Sequence, residues 1–184
     1  MQVPSLTELL RKTEDILGEK LQGKVSIEVH THNNEKLLTE LVMIDTAKFR
    51  EELRYNKEEL QQKLGKPGAF CLMVYLNGEP IAFDYGYNDS EKVYFSDSSA
   101  TLIERMGIGK MLGVLELTYL YEKGYDSLLF ITEEMDEMGR PLRQIWENQG
   151  YKTVSIAPDG GVDMMLEITP EVVQERVRKV YNIA

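Results

Sequence analysis

The chain has 184 residues, a formal charge of -10 at neutral pH, 42% hydrophobic residues and a single cysteine. That length and apolar fraction suit one domain over residues 1–184 with a real core, and they exclude a largely disordered chain. So negative a charge repels phosphate backbones unless basic residues gather on one surface; no basic block occurs, and nucleic acid is not an expected partner.

The amino terminus turns polar within a few residues and does not read as a signal peptide. Ser5 to Leu21 instead spaces Leu6, Leu9, Leu10, Ile16, Leu17 and Leu21 as one face of an amphipathic helix, with Ser5 or Thr7 as cap and Gly23 as stop. Lys24 to Thr31 alternates Val25, Ile27 and Val29 with Ser26, Glu28 and His30, the period of a half-buried strand. His30 and His32 are the only histidines, and without a third ligand nearby no metal is expected. Glu35 to Arg54 and Lys57 to Leu64 have helical spacing and are separated by Tyr55 and Asn56. After a break at Gly65 to Gly68, Phe70 to Leu76 reads as a strand and Pro80 to Tyr87 as its hairpin partner across Asn77 and Gly78. The longest apolar run, Ala69 to Leu76, has eight residues, far short of the roughly 20 that cross a bilayer. No membrane segment is therefore expected. Cys71 lies inside this run with no disulfide partner, which points to core packing in a reducing compartment, the cytoplasm.

Lys92 to Ser96 reads as a third antiparallel strand, and then the pattern changes. Gly107 to Lys123 is a long helix, apolar on more than one face and closed by Gly124. Asp126 to Thr132 is a continuous apolar strand of the buried, parallel type. Pro141 to Asn148 is a helix with proline in its first turn and Gly150 at its end. Tyr151 to Ile156 and Val162 to Ile168 form a last strand pair. In the final helix, Pro170 to Tyr181, the stripe Val172, Val173, Val177, Val180 and Tyr181 suits either its own domain or a homodimer. A mixed α/β fold follows, with a central sheet of about six to seven strands flanked by helices.

The residues that carry chemistry are Glu104, Arg105, Met106, Gly107, Ile108, Gly109 and Lys110, between a strand and the first turn of the long helix. Two glycines let backbone amides approach a ligand, and the free amides of a helix amino terminus favour an anion, most naturally a phosphate. Arg105 and Lys110 add formal charge. A Walker loop needs glycine where Glu104 stands and a hydroxyl where Met111 stands, so it is rejected. A dinucleotide fold built on Gly107, Gly109 and Gly113 needs a buried hydrophobic strand just before the loop; Ile103, Glu104, Arg105 and Met106 are not that.

The loop, ERMGIG, resembles the signature of the GNAT superfamily of acyl-CoA-dependent N-acyltransferases: Gln or Arg, two residues of any kind, Gly, any residue, then Gly or Ala. Gly107, Ile108 and Gly109 match, and Glu104 departs from the first position. NGEPIAF at Asn77 to Phe83 looks like the family's second hairpin, WENQGY at Trp146 to Tyr151 like the end of its later helix, and the element order agrees from about Val25 to Ile168. The helices at the two ends are additions. The resemblance implies acetyl-CoA or a related acyl-CoA as cosubstrate, its pyrophosphate on the amides of Arg105 to Lys110, and its carbonyl oxygen on amides within Ser96 to Ala100, Ser98 and Ser99 foremost.

Amine acylation also asks for a neutral amine, hence a base, and for an acid to protonate the leaving thiolate. In the family that acid is a tyrosine; the matching position is Trp146, which leaves Tyr121, Tyr87 or Tyr151, or solvent, to serve. For the base, Asp97 and Glu133 or Glu134 lie nearest by topology. Asp84 to Glu104 carries five acids against Lys92, and Glu122 to Met138 six against Lys123, so the expected acceptor is a cationic small molecule or protein amine. The alternative is a noncatalytic acyl-CoA sensor or interaction module. A relative that transfers aminoacyl groups has no positive support in the loops.

Overall fold

Ser5 starts the first helix as a capping box: its hydroxyl takes the amide of Glu8, and the Glu8 carboxylate takes the amide of Ser5 at 2.8 Å. This helix, α1 (Leu6–Leu21), belongs to a computed structural model that describes residues 3–182. Met1, Gln2, Ile183 and Ala184, the ends of the expected 1–184 domain, lie outside the described residues. Strand β1 (Val25–His30) leads to α2 (Glu35–Lys48) and α3 (Lys57–Leu64); a meander of β2 (Phe70–Leu76), β3 (Glu79–Asn88) and β4 (Val93–Thr101) follows. Then come α4 (Ile108–Lys123), β5 (Ser127–Glu133), α5 (Leu142–Glu147), β6 (Lys152–Ile156), β7 (Gly161–Glu167) and α6 (Pro170–Tyr181).

The seven strands form one mixed sheet in the order β1-β2-β3-β4-β5-β7-β6, antiparallel except for β4 beside β5. The hairpin between β2 and β3 turns where the sequence places it, with Asn77 at φ 53° and Gly78 at φ 88°. One face packs on α1, α4 and α6 through Phe70, Leu72, Val74, Tyr94, Leu112 and Leu115. The other packs on α2 and α3 through Leu38, Leu41, Leu60, Met73, Phe83 and Tyr85. Each of these side chains is almost fully removed from water, worth roughly 1.5–3 kcal/mol apiece for the aliphatic ones, and Cys71 is buried among the second group.

Two expected boundaries move. The helix expected to reach Arg54 stops at Lys48, because Phe49 turns to extended backbone to pack its ring on the second core, and the Asp45 carboxylate takes the amide of Tyr55 at 2.9 Å. A 3-10 turn, Glu51–Leu53, fills the gap. Conversely the strand expected to end at Ser96 continues to Thr101, held by its register against β3. The stripe on α6 is spent within the chain: Val173, Val177 and Tyr181 are buried, and the Tyr181 hydroxyl meets Thr13 Oγ1 of α1 at 2.6 Å. No helix among the described residues is long and apolar enough to cross a membrane.

Candidate active site

β4 and β5 run side by side only at their starts, where Val93, Tyr94 and Phe95 pair with Ser127, Leu128 and Leu129. Past Phe95 each keeps only its outer partner, β4 to Thr101 on β3 and β5 to Glu133 on β7. A V-shaped notch opens between them. Its β4 edge presents backbone N–H and C=O groups with no strand partner from Ser96 onward. Tyr85 pairs with Ser98 and Gly86 with Ser96, so Asp97 is an extra residue and the strand bulges there.

At the wide end of the notch lies the start of α4. Gly107 stands at its N-cap with φ 82° and no side-chain cap, and Arg105 also takes a left-handed φ of 63°. The amides of Ile108, Gly109 and Lys110 have no carbonyl a turn before them, and a Cβ at Gly109 would meet only open space. Packing does not require glycine at 109, and its bare Cα leaves these amides open to an approaching anion. Arg105 and Lys110 are exposed beside these amides. Sequence reasoning missed a further cation: Lys20, at the end of α1, reaches across to donate to the Met106 carbonyl at 3.2 Å. Glu104, at the family's Gln or Arg position, forms an ion pair with Lys48, and that lowers its carboxyl below the usual range. From Thr101 back to Ser96, five steps of strand at about 3.3 Å each span roughly 17 Å.

The chain has the GNAT fold. Solved structures that it resembles include the ribosomal-protein-S18-alanine N-acetyltransferase of Escherichia coli (TM-score 0.62, 14% identity, 78% of this chain and 94% of that one). The aminoglycoside 6'-N-acetyltransferase of Enterococcus faecium gives a TM-score of 0.65 at 16% identity, over 78% and 97% of the two chains. The PaiA N-acetyltransferase of Thermoplasma acidophilum, solved in complex with coenzyme A, gives 0.59 at 15%, over 77% and 99%. No family model and no curated protein matches the sequence.

Within this GNAT frame the side chains singled out from the sequence fall in different places. Ser98 and Ser99 lie on the notch strand, with the Ser99 hydroxyl on the Phe83 carbonyl at 3.3 Å. Asp97 is not an unengaged carboxylate. It faces α3, ion-paired with Lys63, and it accepts from the hydroxyls of Tyr87 (2.9 Å) and Tyr55 (3.4 Å). Burial pulls the Lys63 pKa down, but the bond and charge of Asp97 outweigh it and raise it overall. Tyr87 is thereby taken as well; burial and the Asp97 charge push it up to about 12. Tyr121 sits in the last turn of α4, at the end away from the loop. Glu133 is exposed at the end of β5, at the mouth of the notch.

Trp146 and Tyr151 stand against the β5 wall. Trp146 is edge-on to Phe130 at 4.8 Å and to Tyr151 at 5.3 Å, and Tyr151 is edge-on to Phe130 at 5.0 Å. Burial pushes the Tyr151 hydroxyl up to about 12. Of the acids expected to draw a cation, Glu134 is paired with Arg143, Asp136 with Arg140, and Glu137 with Arg50. Among the described residues no three His, Cys, Asp or Glu side chains group as metal ligands.

Proposed function

We propose that this protein is an acyl-CoA-dependent N-acyltransferase that moves an acetyl or related acyl group from coenzyme A to a primary amine. One observation carries the reading: the notch between β4 and β5 opens onto the uncapped amides of α4, where Gly109 leaves the approach clear. Those amides, with Arg105, Lys110 and Lys20, would hold the pyrophosphate. The unpaired β4 edge at the Asp97 bulge would bond the thioester carbonyl and stabilise the charge that develops on its oxygen. The amine enters at the mouth and sheds its proton to water there, with Glu133 as the exposed carboxylate. A cationic acceptor, in a cytoplasmic setting, is consistent with the net charge of -10; Glu134, Asp136 and Glu137 contribute less than their number suggests because arginines pair with them. The N-acetyltransferases named for two neighbours act on an aminoglycoside and on a ribosomal-protein alanine, which fits an amine acceptor.

Calorimetry with CoA and acetyl-CoA tests this reading. Gly109→Asp sets a carboxylate against the pyrophosphate without a clash, at a helix end that tolerates acids, so the variant should fold and lose at least ~100-fold in CoA affinity, about 2.7 kcal/mol. No binding by the native chain at millimolar ligand would sink the proposal. Trp146 at the family's acid position favours a second reading, a CoA-binding sensor without turnover. Steady release of free thiol with a mixed amine library excludes it.

A further inference from the structure

Two carboxyls lie in the core between α4 and the sheet, Asp84 on β3 and Glu116 in α4 itself. Each residue is only 4% exposed, and no cation is among their partners. Glu116 Oε2 meets Ser96 Oγ at 3.0 Å, while Glu116 Oε1 and Asp84 Oδ1 have no hydrogen-bond partner. An unpaired carboxylate ion buried in this way costs so much that the group keeps its proton instead. Burial pushes Asp84 up to about 7; burial and the neighbouring Asp84 raise Glu116 well above the carboxylate range. The ionisable groups that feel the pair are Tyr94 on β4, Cys71 on β2 and Tyr151 before β6. All three are neutral at pH 7, and Arg176 of α6, which lies over the Tyr151 ring, is bonded to Gln149.

The serine bonded to Glu116 is also the first β4 residue past the last pair with β5, at the apex of the notch. A protonated Glu116 can donate to the Ser96 oxygen, which leaves the serine proton free to move on. The residue at the acid position, Trp146, has no proton to give. Resting on the acyltransferase reading above, we propose that the leaving thiolate takes its proton from Ser96 Oγ and that Ser96 is refilled from the Glu116 carboxyl, with Asp84 as the second member of the reservoir. The amine nitrogen forms the new C–N bond and the C–S bond breaks. Sulfur gains the serine proton, serine gains the glutamic acid proton, and the pair is left one proton short. The proton shed by the amine goes to water at the mouth, and water restores the pair once the thiol has left. Ser96 touches the reacting sulfur; Glu116 and Asp84 act through it.

The test compares the native chain with Glu116→Gln and Ser96→Ala in three measurements: CoA binding by calorimetry, acyl transfer to an amine library across pH, and the infrared carboxyl band of the ligand-free protein. Both variants should bind CoA within about twofold of native yet transfer on the order of 100-fold more slowly. The native rate should fall at alkaline pH as the pair loses its proton, a limb absent from Glu116→Gln. Free native protein at pH 7 should show a protonated-carboxyl band that weakens in Glu116→Gln, where only Asp84 remains to supply it. Native turnover with an unchanged rate and pH profile in Glu116→Gln, or no such band, overturns the proposal and leaves the acyltransferase reading standing. If Glu116→Gln does not fold, an unimpaired Ser96→Ala overturns it equally. Failure of the native chain to bind CoA overturns the acyltransferase reading itself.

Discussion

Asp97 and the Asp84–Glu116 pair sit on opposite faces of the same two central strands, and each face handles buried acidity in its own way. On the α3 side one carboxylate is matched by one ammonium and two hydroxyls, from Lys63, Tyr87 and Tyr55. On the α4 side Glu116 has one serine, neither carboxyl has a cation, and one oxygen of each is left without a partner. Depth does not explain the difference, since the Asp97 side chain is also only 4% exposed. Partner supply does. Helix α3 brings a lysine over the sheet, whereas the facing surface of α4 is built from Ile108, Met111, Leu112 and Leu115 and offers no base. A buried acid that is given a cation serves as a fixture; one that is denied it holds on to a proton instead.

The contrast can be broken from either side. The largest effect is expected from Lys63→Met, which strands Asp97 in the core: a loss of about 3–5 kcal/mol in denaturant unfolding, most of it recovered when Asp97→Asn is added. On the other face the sign reverses. Because the folded pKa of Asp84 is raised, the folded chain holds a proton that the unfolded chain releases, and stability falls as pH climbs from the ordinary carboxylate range near 4 to about 7. Asp84→Asn should flatten that slope and gain on the order of 2–4 kcal/mol above pH 7, read as thermal midpoints over a pH series. A midpoint that falls in Asp84→Asn at high pH would contradict an uncompensated pair. The smallest effect is expected where water takes over the role of partner: Lys48→Ala removes the ion pair of the exposed Glu104 and should leave the unfolding midpoint within experimental scatter.

What could be read from the sequence was what short-range chemistry decides. The Ser5 cap, the Asn77–Gly78 turn, the Phe70 to Leu76 strand and the helix closed by Gly124 stand where their residues put them. The turn into α4 was legible for the same reason, because Gly107 at φ 82° takes a left-handed backbone that favours glycine. Strand β4 was not legible past Ser96, since Asp97, Ser98 and Ser99 have poor strand propensity and are extended only because β3 offers them a ladder. Nor was the end of α2, fixed by a side chain that captures an amide ten residues on. Glu116 meets Ser96 and feels Asp84 only because distant segments pack together, which periodicity does not encode. A signal was nonetheless present: PIAFDYGY and KMLGVLELTYL each hold one acid among almost wholly apolar neighbours, and an acid kept where burial is expected is the mark of a group with a task or a partner.

Trp146 is the only tryptophan in the chain, and its indole is held edge-on between Phe130 and Tyr151 beside the notch. All indole emission therefore comes from one point, against Phe130 of the β5 wall. Should the notch take an acyl-CoA as proposed, a change in that emission on titration would report occupancy from the unmodified protein, with no dye, label or coupled assay between the notch and the detector.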